Sequence, residues 1–413
     1  MLKTISKERL DLASYIRPGD NLIWGQGSAE PLTLIQHLLD QRSSIGKISA
    51  FVGISLSDIL HPDHSDYISF SSYGTLGTTG RLRKAGKLDL LPCHYSALPN
   101  LIESGRRPVD VAFIQLSPPG PDGTHSLGFC NDFLPVAMKK ARIVIAEINS
   151  NVPWTHADHP IDPGQIDIAI ETDRPVPTLP SPKLRDTDRK IADHVASVIE
   201  NGATLQYGIG AIPAALLESL SGHADLGLHS GLITEGIIDL IETGVITNAK
   251  KAVYPGISVG AVAIGGNRLK DFLHANDSFL FHQSSFTHGA RTLSQIDNLV
   301  GVNSALEVDV FGQINAEQIG DTYLGAIGGQ VDFMHAAQTN ANGLSIIALP
   351  ATNKNGSSRI VSKLSGPFVT TCRSDVDIIV TEFGIADLRG LTEQDRIKSI
   401  KKIAAPNHQD NLI

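Results

Sequence analysis

The chain has 413 residues, 41% of them hydrophobic and 19% charged, with 34 Lys+Arg against 43 Asp+Glu and a formal net charge of −9. At roughly 100–200 residues per domain this supports two or three domains with real cores, and the apolar fraction excludes a disordered chain. The mild acidic excess argues against a nucleic-acid backbone or an anionic membrane surface as the main partner, so any anionic ligand must meet local donors. No stretch reaches the roughly 20 uninterrupted apolar residues of a membrane span. The opening MLKTISKERLDLAS lacks the apolar core of a secretory signal, and a cytoplasmic protein is expected. Cys93, Cys130 and Cys372 stand far apart with no CxxC pair, and the neighbouring His156 and His159 read as loop residues. Neither a disulfide framework nor a metal site is expected.

Short runs rich in Val, Ile and Leu alternate with helix-like segments along the chain. They are NLIWG, KISAFVGIS, VDVAFIQLS and ARIVIAEIN, then ATLQYGIG, ADLGLHSG, LSIIALP and VDIIVTEFG. This alternation predicts parallel strands with crossover helices, an α/β fold. Residues 172–182 carry four prolines in eleven positions, which removes backbone donors and favours extended chain. The next segment, DTDRKIADHVASVIENGA, begins acidic and has apolar residues at helical spacing, so a second domain opens with a helix near Asp186. The expected domains are residues 1–180 and 186–413. The two halves begin alike: NLIWGQGSAEP from Asn21 and TLQYGIGAIP from Thr204 each give an apolar strand, Gly-x-Gly and a proline near the first helical turn. Two related α/β domains would produce this pattern, as would two generic strand-helix units.

Several segments could carry chemistry. Gly25-Gln26-Gly27 and Gly208-Ile209-Gly210 fall where a strand turns into a helix, so backbone amides there can approach a phosphate or a developing oxyanion. Neither completes GxGxxG, because Glu30 and Pro213 stand three residues beyond, which disfavours a nicotinamide dinucleotide; a purely structural turn is the alternative for each. The loop QLSPPGPDGTHSLG, residues 115–128, follows a buried strand at the carboxyl edge of its sheet, where α/β ligand sites gather, or is a turn-rich connector. Nearer the C-terminus lie NSALEVDVFG, GGQVDF, NKNGSSRIV and TEFGIADLRG. Gly328 and Gly329 offer adjacent amides, and Lys354 and Arg359 offer cations for phosphate. Glu307 and Glu382 stand beside apolar runs, where partial burial would raise a carboxyl toward catalytic use; solvated positions are the alternative.

Taken in order over nearly the whole chain, GQGSAEP, QLSPPGPDG, AEIN..VPWT, GIGAIP, LGLHS...EGIIDLIETGVITN, NSALEVD, GGQVDF, NKNGSSRIV and TEFGIADLRG resemble the acetyl-CoA hydrolase/transferase family. Its members include 4-hydroxybutyrate, butyrate and succinate:acetate CoA-transferases. The resemblance implies two α/β domains with largely parallel sheets and an active site in the cleft between them. It implies an acyl-CoA:carboxylate CoA-transferase for small thioesters such as acetyl-CoA or 4-hydroxybutyryl-CoA, with CoA as substrate and no metal or redox cofactor. Partners would be the small-molecule acyl-CoA and carboxylate, not nucleic acid or membrane, and a homo-oligomer is expected. By resemblance, the CoA site uses Gln206, Tyr207, Gly208, Ile209, Gly210, Leu306, Gly329 and Lys354, while Glu382 matches an active-site glutamate.

In that family a glutamate carboxylate attacks the thioester, a mixed anhydride forms, and CoA thiolate returns to give a glutamyl thioester from which the acceptor takes CoA. The nucleophile follows the LGLHS segment, typically as HTE or HSE, but here Gly231 follows His229 and Ser230. Glycine cannot form that intermediate. Glu235 could replace it, or could merely supply charge at a helix start. Water activated by Glu235, Glu307 or Glu382 could attack instead, making a hydrolase. Transfer could also run through a ternary complex without an enzyme-bound intermediate, or the chain could be a CoA-binding protein that has lost its chemistry.

Overall fold

In a computed structural model that describes residues 2–412, the apolar runs become strands and the segments between them become helices. Met1 and Ile413, the outer limits of the expected domains, lie outside the described residues. Contacts divide the chain into two compact units. The first holds the chain up to Leu179 together with Ile233–Glu235 and Val259–Thr287; the second holds Pro180–Leu232, Gly236–Ser258 and the chain from His288 onward. Two segments expected in the second domain therefore pack with the first unit.

The first unit contains a seven-stranded parallel sheet. Its strands are β1 (Asn21–Trp24), β2 (Ile48–Phe51), β3 (Ile68–Ser72), β4 (Leu88–Leu90), β5 (Val111–Leu116), β6 (Ile143–Asn149) and β7 (Ile168–Thr172), in the order β4-β3-β2-β1-β5-β6-β7. Every residue of β5 is buried, as expected of a central parallel strand covered on both faces. The order reverses between β1 and β5, where crossovers part to opposite sides and leave a crevice at the carboxyl ends. Gln26 follows the end of β1, and Gln115 is the next-to-last residue of β5. Gln26 is held there by Ile54 N–H, Tyr73 and Tyr95, and its amide donates to buried Asp132 at 2.5 Å. Burial raises the Asp132 carboxyl, against the bonds from Tyr95 and Gln26 that lower it. The core around Leu22, Trp24, Leu34, Leu38 and Phe113 closes one face.

In the second unit, β8 (Thr204–Tyr207) and β9 (Gly227–Thr234) run parallel, and the chain then passes through β10 (Ser258–Ile264) and β11 (Phe279–Phe281), which belong almost wholly to the first unit. It returns as β12 (Leu299–Asn303) on the other side of β8. Short strands β13 (Glu307–Asp309), β14 (Ile314–Asn315), β15 (Gln318–Ile319) and β16 (Thr322–Tyr323) follow, then β17 (Leu344–Ala348), β18 (Ile360–Val361), β19 (Ile378–Thr381) and β20 (Gly384–Asp387). Within this unit the main order is β9-β8-β12-β17-β19-β20, parallel except for the β19/β20 hairpin. Thus β8, like β1, is the strand at which the order reverses. A helix opens at Asp186–Ala196 as its pattern predicts, with Ile191, Ala192 and Val195 inward and Asp188 turned back onto Arg185. Among the described residues no helix is long and apolar enough to cross a membrane. His156 lies 2.9 Å from Asp277, and His159 lies 3.7 Å from Asp158.

Beneath β9, Lys251 is 3% exposed and donates Nζ–H to the carbonyls of Leu228 and Ile257 at 2.8 and 2.6 Å. Burial pulls its pKa down from 10.5 to about 7. The folded state therefore binds fewer protons than the unfolded chain between about pH 7 and 10.5, so this group makes stability rise with pH across that window. Denaturant midpoints measured from pH 7 to pH 9.5 should climb in the wild type and climb less in Lys251→Met; equal slopes would remove Lys251 as the cause.

Candidate active site

The reversal between β8 and β12 opens a crevice of about 180 Å³ in the second unit, lined among others by Arg185, Ile209, Gly210, Ser304, Pro350 and Arg359. Strand ends supply these residues: Ile209 and Gly210 follow β8, Ser304 follows β12 and Pro350 follows β17. Gly210 takes φ +118° to turn the chain into the helix Ala211–Ser219, a conformation that a side chain would strain. The first amides of that helix have no partner within it and carry the positive end of its dipole. Ile209, 41% exposed, adds an apolar wall.

Two guanidinium groups complete the crevice. Arg185 is engaged by Asp188 through Nε and Nη2 at 2.9 and 2.7 Å. Burial would raise the Asp188 carboxyl, but Arg185 holds it below its ordinary value. Arg359 is different: it is half-buried, and its Nε–H has no hydrogen-bond partner among the described residues. Burial lowers its pKa, Arg185 lowers it further, and Glu307 and Glu382 oppose both. A buried donor on a permanent cation is unfavourable unless an acceptor arrives. An anion such as a phosphate would supply one.

The sequence-derived carboxylates divide. Glu307 is buried and accepts from Ser365 N–H at 3.0 Å and Ser365 Oγ–H at 2.7 Å, which ties down the loop after β18. Glu382 follows β19 and accepts from Ala351 N–H at 2.8 Å, joining two strand ends. Both face Arg359 electrostatically. Glu235 instead belongs to the first unit, where it accepts from Gly266 N–H at 2.6 Å and caps the helix Asn267–Leu273. Each therefore has a structural partner.

The proposed CoA-site residues divide as well. Ile209 and Gly210 line the crevice beside Gly208. Tyr207 is buried beneath it, and Gln206 is locked to Asn303 by an amide pair at 2.9 and 3.3 Å. Leu306 is half-buried, with its N–H on Asn315. Lys354 is exposed at the tip of a turn closed by Gly356 N–H on Asn353, outside the crevice lining. Gly329 precedes the helix Gln330–Thr339 and touches His288.

The same imidazole borders Gly231. A Cβ on Gly231 would lie 2.3 Å from His288 Nε2, and a Cβ on Gly329 would lie 2.5 Å from the same atom. The imidazole fills the space that a residue-231 side chain would enter, and Phe333 packs against it with ring centroids 4.8 Å apart. Sequence reasoning missed His288 and Arg185. The first left only an indirect trace, the glycine at residue 231.

These features make an α/β unit able to hold an anion at the carboxyl edge of a parallel sheet. The acetyl-CoA hydrolase/transferase N-terminal domain matches residues 3–180, and the C-terminal domain of the same family matches residues 265–413. The chain is 40% identical to 4-hydroxybutyrate coenzyme A transferase of Clostridium kluyveri over 331 residues, 80% of this chain and 77% of that one. Its fold is similar to that of RipA from Yersinia pestis, with a TM-score of 0.93 at 29% identity over 99% of this chain and 96% of that one. It is also similar to 4-hydroxybutyrate CoA-transferase from Porphyromonas gingivalis, with a TM-score of 0.82 at 30% identity over the same shares. The chain belongs to the acetyl-CoA hydrolase/transferase family and is an enzyme of the CoA-transferase type.

Gly231→Ala should lose about 1–3 kcal/mol of stability by overpacking against His288. The double variant Gly231→Ala/His288→Ala should recover part of that loss in denaturant unfolding. Additive losses would show that the two positions do not share one space.

Proposed function

We propose that this enzyme is an acyl-CoA:carboxylate CoA-transferase for small acyl-CoA thioesters, with the anionic part of CoA in the crevice between β8 and β12. The observation that carries the reading is the unsatisfied, half-buried guanidinium of Arg359 beside the amides of the helix Ala211–Ser219. Phosphate oxygens would satisfy both. The transferases named among the relatives act on short-chain substrates, such as 4-hydroxybutyrate, which supports a small acyl group.

With glycine at residue 231 and the three candidate glutamates on structural partners, transfer runs between the two substrates themselves. The acceptor carboxylate attacks the thioester carbonyl; a C–O bond forms, the C–S bond breaks, and CoA thiolate leaves a mixed anhydride. The thiolate then attacks the acceptor-derived carbonyl; a C–S bond forms, the anhydride C–O bond breaks, and the donor acid departs. The sequence requires CoA thiolate to stay bound between the two steps, which is the role assigned to Arg359 and the helix amides. Holding both reactants in place supplies much of the rate.

Calorimetry with CoA should show affinity falling about tenfold or more in Arg359→Gln, the scale of one lost charge-assisted bond, and changing little in Lys354→Ala. The reverse pattern would move the phosphates to the loop. Acetyl-CoA with isotopically labelled propionate should yield labelled propionyl-CoA, and its absence in protein that binds CoA would overturn transfer.

A further inference from the structure

We propose that the first unit carries a second ligand site, for an aromatic monocarboxylate, in the cavity lined by the Pro118–Pro121 loop, Trp154, Lys270 and His274. The cavity measures about 690 Å³, within the range of small-molecule pockets, and all its lining residues fall in the first unit. The crevice between β8 and β12 lies in the second unit, so the inference stands independently of where CoA binds. Two sequence motifs that the transfer reaction leaves unused form the walls: PPGP follows the end of β5, and VPW follows β6. Proline rings and an indole present flat apolar surface, which suits the face of an aromatic ring.

The walls are fixed before a ligand arrives. Trp154 Nε1–H donates to Thr124 C=O at 3.2 Å, and the His156 ring meets the indole with planes inclined at 82° and centroids 4.9 Å apart. Gly120 lies against the same indole, where a Cβ would collide with Nε1. Trp154 N–H donates to His274 Nδ1 at 3.2 Å, and Ala275 N–H donates to Trp154 C=O at 2.8 Å. Ala275 takes φ +50°, a left-handed conformation uncommon for alanine, and such strain persists where the surrounding structure dictates it, often at ligand sites.

The charged groups set the other end of the ligand. Lys270, on the helix Asn267–Leu273, has a side chain only 26% exposed, and its ion-pair partner Asp271 stands 3.7 Å away, beyond hydrogen-bond reach. A largely buried ammonium without a close acceptor is unfavourable. His274 follows four residues on, along the same side of the helix. Its Nδ1 accepts from Trp154, so the neutral ring carries its proton on Nε2 and offers a second donor to the cavity. A carboxylate brings two acceptor oxygens to these two donors. A neutral arene would leave the ammonium unpaired, and a small aliphatic acid would leave the indole and prolines in water.

The test is calorimetry and tryptophan fluorescence on the full chain titrated with phenylacetate. A dissociation constant of about 1 mM or tighter is expected. Acetate, which lacks the ring, and phenylacetamide, which lacks the charge, should each bind at least about tenfold more weakly. Lys270→Met should weaken phenylacetate at least about tenfold, the scale of one charge-assisted bond, while Lys270→Arg keeps the affinity within about threefold. Trp154→Phe should keep the affinity within about threefold and abolish the fluorescence change, because the other tryptophan, Trp24, is buried in the core. A wild type that binds no phenylacetate overturns the inference, as does undiminished binding in Lys270→Met. Acetate binding as tightly as phenylacetate overturns the aromatic class, and a fluorescence change that survives in Trp154→Phe overturns the location.

Discussion

The imidazole of His288 occupies the space beside Gly231 and Gly329, so a side chain at either glycine requires the ring to shift. A Cβ on Gly231 would meet His288 Nε2, and the imidazole would have to move to admit it. Gly329 makes the same concession from the neighbouring helix start. A glycine at residue 231 by itself reads as a loss. Two glycines around one buried ring show that the space beside residue 231 is filled by the imidazole.

The crevice beside it depends on a more general constraint. A parallel sheet wound in both directions must open where its order reverses, because helices leave the two central strands on opposite faces. In the second unit those strands are β8 and β12, so the turn after β8, the end of β12 and the end of β17 converge. Cations brought to such a place must be paired or await a ligand. Arg185 is paired, by Asp188; Arg359 retains a donor, its Nε–H, without a partner among the described residues. Glu307 and Glu382 moderate the local charge and also hold the surrounding loops through Ser365 and Ala351. Their electrostatic and structural duties are compatible, since a carboxylate oxygen can accept an amide while its charge acts on a neighbour.

The fold was largely legible in the sequence because its signals are local. Runs such as VAFIQL in β5 and LSIIA in β17 can be buried on both faces only in parallel strands, and the acidic start of DTDRKIADHVA marks its helix. The Gly208–Gly210 turn was legible for the same reason, as its chemistry lies in its own backbone. Side-chain direction was not. Lys354 and Arg359 sit in one polar loop, yet the Asn353–Gly356 turn aims the first at solvent while pairing of β18 with β13 carries the second toward the crevice. Glu235 lies only four residues beyond Gly231, but it belongs to the other compact unit and serves as a helix cap. His288 was invisible because its meaning comes from two glycines remote from it in the chain and close to it in space.

The central claim is that no enzyme carboxylate carries CoA. Intact-protein mass spectrometry after acetyl-CoA is mixed with the enzyme and rapidly quenched addresses it directly. The account predicts unmodified protein under conditions in which label passes between thioesters. A covalent CoA adduct that maps to Glu235, Glu307 or Glu382 would contradict it and restore a glutamyl thioester to the mechanism.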